Sequence, residues 1–198
     1  VKKALSILGI AGSLRRDSLN RRLVDAAAAL APDDVTIARY DALGAVPMFD
    51  EDVEAAGEPA GVRALRDAVA AADGLLIATP EYNQSFPAVL KNAIDWLSRG
   101  DEVLAGKPVA LVGATAGRWG TRLAQAGLRQ VLAATESPVM PSPMLFLAGG
   151  EALFDAQGRL RGDEHARLAD LVAAFAAWTR RYQPIVLPLP PKSVGASA

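Results

Sequence analysis

Three short stretches hold the residues that could do chemistry. The first, Ala11-Gly-Ser-Leu-Arg-Arg-Asp-Ser-Leu-Asn20, sets a Gly/Ser turn, two arginines and the short polar side chains of Ser13, Ser18 and Asn20 between an apolar run and a helical pattern. A strand that ends in such a turn and feeds a helix aims backbone N–H groups and the positive end of a helix dipole at one point, which suits a phosphate. Arg15 and Arg16 add charge, and the hydroxyls and amide can reach phosphate oxygens. Ser18 also reads as the plain cap of the helix that follows. The second stretch, Thr79-Pro-Glu-Tyr-Asn-Gln-Ser-Phe-Pro87, combines two prolines with aromatic and hydrogen-bonding side chains, and the third is the glycine-containing Gly113-Ala-Thr-Ala-Gly-Arg-Trp-Gly120.

The first loop lacks the Lys-Ser/Thr ending of a nucleotide-triphosphate loop and the three spaced glycines of a dinucleotide fingerprint. The chain has no cysteine, which removes disulfides, thiolate metal sites and thiol nucleophiles together. Its single histidine, His165, reads as a solvated residue near the start of the last helix, so a histidine-based triad or multi-histidine metal site is not expected. Lys+Arg of 21 against Asp+Glu of 22 gives a net charge of -1, without the basic footprint of a nucleic-acid binder.

These loops need a rigid frame, and 198 residues with 51% hydrophobic content can bury one. Ala4 to Ile10 is a continuous apolar run, as expected of a parallel strand covered on both faces. Lys2 and Lys3 before it resemble the start of a signal peptide, but the run is short and the arginine-bearing loop follows at once. No apolar run is long enough to span a membrane, so the expected location is the cytoplasm. Helical spacing begins at Ser18 and ends near Ala31; Val35 to Tyr40 alternates as an edge strand.

Asp41 to Glu58 reads as a long connection in which Met48 and Phe49 precede a run of acids. A helix from about Pro59 to Ala72 leads to a buried strand at Gly74 to Ala78. Another helix, Pro87 to Ser98, carries a second apolar stripe of Val89, Ala93 and Trp96, which suggests a contact with a second copy of the chain. Pro108 to Val112 makes the fourth strand, followed by a helix from about Thr121 to Ala134. Val139 to Met140, between prolines, is the candidate fifth strand. A polar connection, Gly149 to Gly162, then precedes the last helix, Asp163 to Tyr182.

Residues 1–182 therefore read as a single domain, and 183–198 as a proline-rich tail that is either disordered or extended over a neighbour. Strands alternating with helices predict an α/β fold with an open, five-stranded parallel sheet, doubly wound with helices on both faces. In such a sheet the ligand lies beyond the carboxyl ends of the strands at the switch point, where the loops after strands one, three and four meet. Those are the three stretches that carry the chemistry.

Gly12-Ser-Leu-Arg15 with Ser18 and Asn20, Pro80-Glu-Tyr-Asn83 with Ser85, Leu90-Lys-Asn-Ala-Ile-Asp-Trp-Leu-Ser-Arg99 and the loop near Thr115 resemble the flavodoxin-like NAD(P)H-dependent FMN reductases, a family that includes quinone, chromate and azo-dye reductases. Pro47-Met-Phe-Asp-Glu-Asp52 is similar as well, and the resemblance runs from about Ala4 to Phe175. It implies an FMN phosphate held by Ser13, Arg15, Ser18, Leu19 and Asn20. The flavin ring would be lined by Pro80, Glu81, Tyr82 and Asn83 with Ser85 nearby, and flanked by Thr115 and Gly117. It also implies NADPH or NADH as electron donor, a small-molecule electron acceptor and a homo-oligomer, dimer or tetramer. In this reading no side chain is catalytic, because N5 of the flavin carries the chemistry. Backbone N–H groups from Tyr82 to Ser85 would face the charge that develops on the reduced ring.

The chain departs from the family pattern at Ala88, where glycine is frequent, and at Arg118-Trp-Gly-Thr121, where paired glycines are common. Trp119 either narrows the substrate opening or packs on the surface. Two rivals share the fold: a non-catalytic electron carrier and a flavin-binding regulatory module.

Overall fold

The computed structural model describes residues 4–182. The expected tail, 183–198, lies outside the described residues. The strands are β1 (Leu5–Ala11), β2 (Val35–Tyr40), β3 (Gly74–Ala78), β4 (Val109–Thr115) and β5 (Leu145–Ala148). The α-helices are α1 (Leu19–Ala29), α2 (Glu51–Ala56), α3 (Ala60–Ala71), α4 (Ala88–Leu97), α5 (Arg122–Ala134) and α6 (Asp163–Arg181). All strand pairs are parallel, in the order β2-β1-β3-β4-β5.

Alternation within the central strands explains the two-sided core. Leu76 and Ala78 of β3 join Ala110, Val112 and Ala114 of β4 against α1 and α6. Their neighbours Leu75, Ile77, Val109 and Leu111 join α3, α4 and α5 on the other face. Successive strand side chains point to opposite faces, so a strand covered twice has to be apolar at every position. The edge strand β2 differs. Arg39 there pairs with Asp25 and Asp41, and its hydrogen bond holds the Asp41 carboxyl below the usual range.

Three expectations change. Val139 makes only an isolated parallel bridge to Val109, and the fifth strand is Leu145–Ala148, in register from Val112↔Leu145 to Thr115↔Ala148. Pro138, Pro141 and Pro143 cannot donate to a ladder, so continuous pairing starts only past them. The segment from Asp41 to Glu58 is not an open connection. It holds a 3-10 turn at Leu43–Ala45 and α2, whose start is capped by Asp50 accepting from Asp52 N at 2.8 Å.

The apolar stripe on α4 is, in addition, largely covered from within the chain. Trp96 is 1% exposed, donates its indole N–H to Pro47 O at 2.8 Å and meets Phe49 edge-on at 4.9 Å between ring centroids. Asn92 clamps the same segment, accepting from Phe49 N at 2.7 Å and donating to Pro47 O at 2.8 Å. Phe49 is thus a local anchor, whereas Met48 between the two clamped residues stays 71% exposed.

Close backbone approach decides one glycine. A Cβ on Gly113 would lie 2.1 Å from Thr121 Oγ1 and 2.4 Å from the carbonyl oxygen of Thr79, so the start of α5 and the end of β3 can close on β4 only without it. Gly113→Ala is expected to cost about 1–3 kcal/mol through overpacking. Urea unfolding checks this: the midpoint falls while the slope stays constant.

Candidate active site

At the carboxyl ends of β1, β3 and β4 the chain forms a cleft of about 220 Å³. It is lined by Ser13, Arg15, Ser18, Leu19 and Asn20 from the first loop and the start of α1, by Pro80 and Tyr82 from the second loop, and by Ala114, Thr115 and Ala116 from the third. The strand order makes this the switch point, because β1 leads outward to β2 on one side and to β3 on the other. A larger hollow of about 660 Å³ lies at the opposite ends of the strands, between Ala70–Asp73 and Gly106–Pro108. Lys107 there donates to Ala72 O, and burial pushes its ammonium pKa down. Nothing in that hollow resembles the loops singled out by sequence.

The first loop is built around the start of α1. Gly12 N donates to Ala78 O at 2.8 Å and extends the parallel pairing one residue beyond β1. Ser18 is the N-cap and accepts from Asn20 N at 3.2 Å, so the simple capping role is real. Ser13 Oγ accepts from Arg15 N at 3.4 Å. The backbone amides of Leu14, Arg16 and Leu19 have no hydrogen-bond partner among the described residues. Arg15 and Arg16 are exposed, and no acid occupies the first turn of α1. Unpaired amides, a helix N-terminus and exposed guanidinium groups form a donor set for an anion.

Asn20 has a different task from its neighbours. Its Nδ2 donates to Ala114 O at 3.0 Å, its Oδ1 accepts from Ala114 N at 3.0 Å, and the residue is 2% exposed. The side chain therefore ties α1 to β4, and contributes to the cleft by holding its walls at a set spacing.

The second loop is a tight turn. Tyr82 N donates to Ser85 O at 2.9 Å and Ser85 N to Tyr82 O at 3.0 Å, while Asn83 (φ 49°) and Gln84 (φ 64°) both lie in the left-handed region. Positive φ at both central residues matches a type I′ hairpin. The amides of Tyr82 and Ser85 are consumed by this pairing, so only those of Asn83 and Gln84 remain to face a ligand; the expectation that the whole loop offers donors is corrected to these two. Tyr82 is 50% exposed, with its ring at the cleft. Glu81, expected beside it, turns its carboxylate away to α5, accepting from Leu123 N at 2.9 Å and Ala124 N at 3.0 Å.

On the third loop Thr115 Oγ1 accepts from Gly117 N at 3.2 Å, which bends the chain at the cleft rim. Arg118 stacks over Trp119 at 4.8 Å, and Trp119 is 69% exposed, so it packs on no neighbouring core. Of the residues expected at the site, Glu81, Asn83, Ser85 and Gly117 shape these loops without lining the cleft. Ala114 and Ala116 line it and were not foreseen: small apolar residues at a strand end carry no chemical signal of their own.

A five-stranded parallel sheet in this order, with an anion-type loop and an aromatic turn at its switch point, defines a flavodoxin-like flavoprotein. Its donor set fits FMN, with the cationic, hydroxyl-bearing loop suited to a phosphate and Pro80, Tyr82 and Ala116 to a ring. The family model for NADPH-dependent FMN reductase matches residues 5–152. An NAD(P)H-dependent FMN reductase of Pseudomonas aeruginosa is 44% identical over 179 residues, covering 89% of this chain and 96% of that one. A 2-hydroxy-1,4-benzoquinone reductase of a Burkholderia species is 42% identical over 180 residues, covering 89% and 97%. Among solved structures, the flavoenzyme NAD(P)H:(acceptor) oxidoreductase FerB of Paracoccus denitrificans superimposes with a TM-score of 0.83 at 32% identity, covering 90% of this chain and 98% of that one. The chain belongs to the NADPH-dependent FMN reductase family. It is an FMN-dependent oxidoreductase that takes its electrons from NAD(P)H.

The Asn20 geometry yields a test that needs no cofactor. Asn20→Ala leaves both backbone groups of Ala114 without their partner and is expected to cost about 2–4 kcal/mol. Denaturant unfolding of FMN-free protein reads this directly, and unchanged stability would return Asn20 to a ligand role alone.

Proposed function

We propose that this oxidoreductase passes electrons from NAD(P)H to small quinone-type acceptors. The observation that carries the reading is the cleft itself, which brings an anion-type loop and the exposed Tyr82 into one cavity open to solvent at the switch point. Two of the relatives support the acceptor class, one named a 2-hydroxy-1,4-benzoquinone reductase and the other a quinone reductase of Pseudomonas putida, the latter 35% identical over 182 residues. Azo compounds and chromate belong to the wider set that the same exposed site would serve.

When bound, FMN supplies the two-electron chemistry. The residues of the chain have the tasks of binding and orienting. Ser13, Arg15 and the start of α1 at Ser18 and Leu19 would hold the phosphate, with Asn20 fixing the spacing of the walls behind them. Pro80 and Tyr82 would line the ring and Thr115 would flank it from β4, while Asn83 and Ser85 shape the turn that carries Tyr82 and Gly117 bends the rim beside Thr115. The amides of Asn83 and Gln84, without a hydrogen-bond partner among the described residues, are the donors that this turn would offer to a bound flavin as preorganised dipoles. One open face has to admit both donor and acceptor, so they take turns there. A homo-oligomer, dimer or tetramer, is part of the same reading; it is supported by the large apolar side chains left exposed at Leu14, Met48, Trp119 and Leu123.

Anaerobic titration of the FMN-loaded protein with NADPH and then NADH is the direct check. Rapid two-electron bleaching reversed by a benzoquinone is the expected result, with double-reciprocal plots forming parallel lines; bleaching that quinone does not reverse would sink the acceptor class. Arg15→Ala is expected to weaken FMN binding by about 1.5–3 kcal/mol through loss of a charge-assisted hydrogen bond. Equal affinities in a fluorescence titration would remove Arg15 from the phosphate site.

A further inference from the structure

Three contacts fasten the second loop to α5. Glu81 accepts from Leu123 N at 2.9 Å and Ala124 N at 3.0 Å, the second and third residues of the helix. Thr121, at the cap position of α5, makes no side-chain cap hydrogen bond; its Oγ1 instead accepts from Gln125 Nε2 at 3.0 Å. The helix thus takes its cap from a residue some forty positions earlier in the chain. At the other end of the loop the Phe86 ring lies over Gly127, where a Cβ would sit 3.1 Å from the ring edge. Glycine in a helix interior costs about 1 kcal/mol relative to alanine, and here it admits the ring. Between these two fastenings lies the Tyr82–Ser85 turn, with two non-glycine residues held at positive φ.

We propose that Glu81 is a positioning residue for the flavin cleft. Its carboxylate, seated on the first-turn amides of α5, sets the Tyr82–Ser85 turn and the rim from Thr115 to Gly120 as one unit. Two features set the direction of the effect. A turn with Asn83 and Gln84 in the left-handed region is kept only where its surroundings hold it. The rim leads straight into α5 through Gly120 (φ 68°), so a shift of the first turn of the helix moves the rim with it. The contact depends on reach and on an acceptor oxygen. A glutamine oxygen can receive the same two N–H groups, whereas an aspartate, one methylene shorter, cannot span from the turn to the helix. The inference rests on the FMN-binding reading of the cleft and adds how its ring end is held.

Full-length chains carrying Glu81→Gln, Glu81→Asp and Glu81→Ala separate the possibilities through two readouts. Amide exchange at Leu123 and Ala124 in FMN-free protein reads the fastening itself. FMN titration by flavin fluorescence, well below the unfolding transition, reads its consequence. Ala and Asp are expected to speed exchange at both amides and weaken FMN binding by about tenfold or more, the size of losing a cap, while Gln stays within about threefold of wild type on both. If Glu81→Ala does not fold, the ordering of Asp and Gln still decides. Affinity that follows charge, with Asp like wild type and Gln impaired, would mean that the carboxylate acts on the cofactor itself and would overturn the proposal. So would faster exchange with unchanged affinity, which marks a cap without a positioning role. A wild-type chain that binds no FMN would overturn the reading of the cleft and this inference with it; a wild-type chain that binds while every variant matches it overturns this inference alone.

Discussion

The cleft depends on a pair of hydrogen bonds that leave the first turn of α1 and end on the backbone of β4. Asn20 donates to and accepts from Ala114, at 3.0 Å each way, from a position almost wholly shielded from water. Because β3 lies between β1 and β4 in the sheet, this one amide reaches past the end of the central strand and holds the first and third loops at a set spacing. A buried amide bonded on both sides stabilises modestly, but removal of one partner exposes the full cost of unpaired buried groups. The anion-type loop can therefore be open and rich in unpaired amides while its base stays rigid.

The other loops follow the same division between groups spent on structure and groups left for a ligand. In the Tyr82–Ser85 turn, two amides close the turn and two have no partner among the described residues. Ser18 spends its side chain on capping, and Thr115 spends its own on bending the rim. Glu81, which reads as a site acid, serves α5, where the favourable interaction of a carboxylate with the positive end of a helix applies. The residues that keep free polar groups toward the cleft are consequently few. That suits a protein whose cofactor brings its own reactive atom.

Outside the cleft, the segment after β2 shows how a loop can use up an apolar face. Pro47 and Phe49 are bonded to Asn92 and Trp96, and the Phe49 ring sits against the indole. At Trp96 and Ala93 that side of α4 is covered by the chain's own residues, while Val89 stays partly exposed. Helical spacing alone does not distinguish these outcomes, because an apolar stripe has the same pattern whichever surface covers it.

The sequence by itself determined the sheet, its parallel sense and the three loops at the ligand end. Those follow from local signals: continuous apolar runs for strands covered twice, 3.6-residue spacing for α1, α3, α4, α5 and α6, and polar Gly- or Pro-bearing stretches after strands one, three and four. It also singled out Ser13, Arg15, Ser18, Leu19, Asn20, Pro80, Tyr82 and Thr115, which the fold gathers around one cleft. Local signals failed where the deciding partner is distant in the chain. The fifth strand was misplaced because prolines withhold ladder donors and Leu145 pairs only once β4 is beside it. Only the tertiary structure decided that Asn20 serves Ala114, that Glu81 caps a helix beginning at Arg122, and that Trp96 faces Pro47. A side chain's type states which hydrogen bonds it can make, but the partner it finds is set by how strands and helices far apart in sequence are brought together.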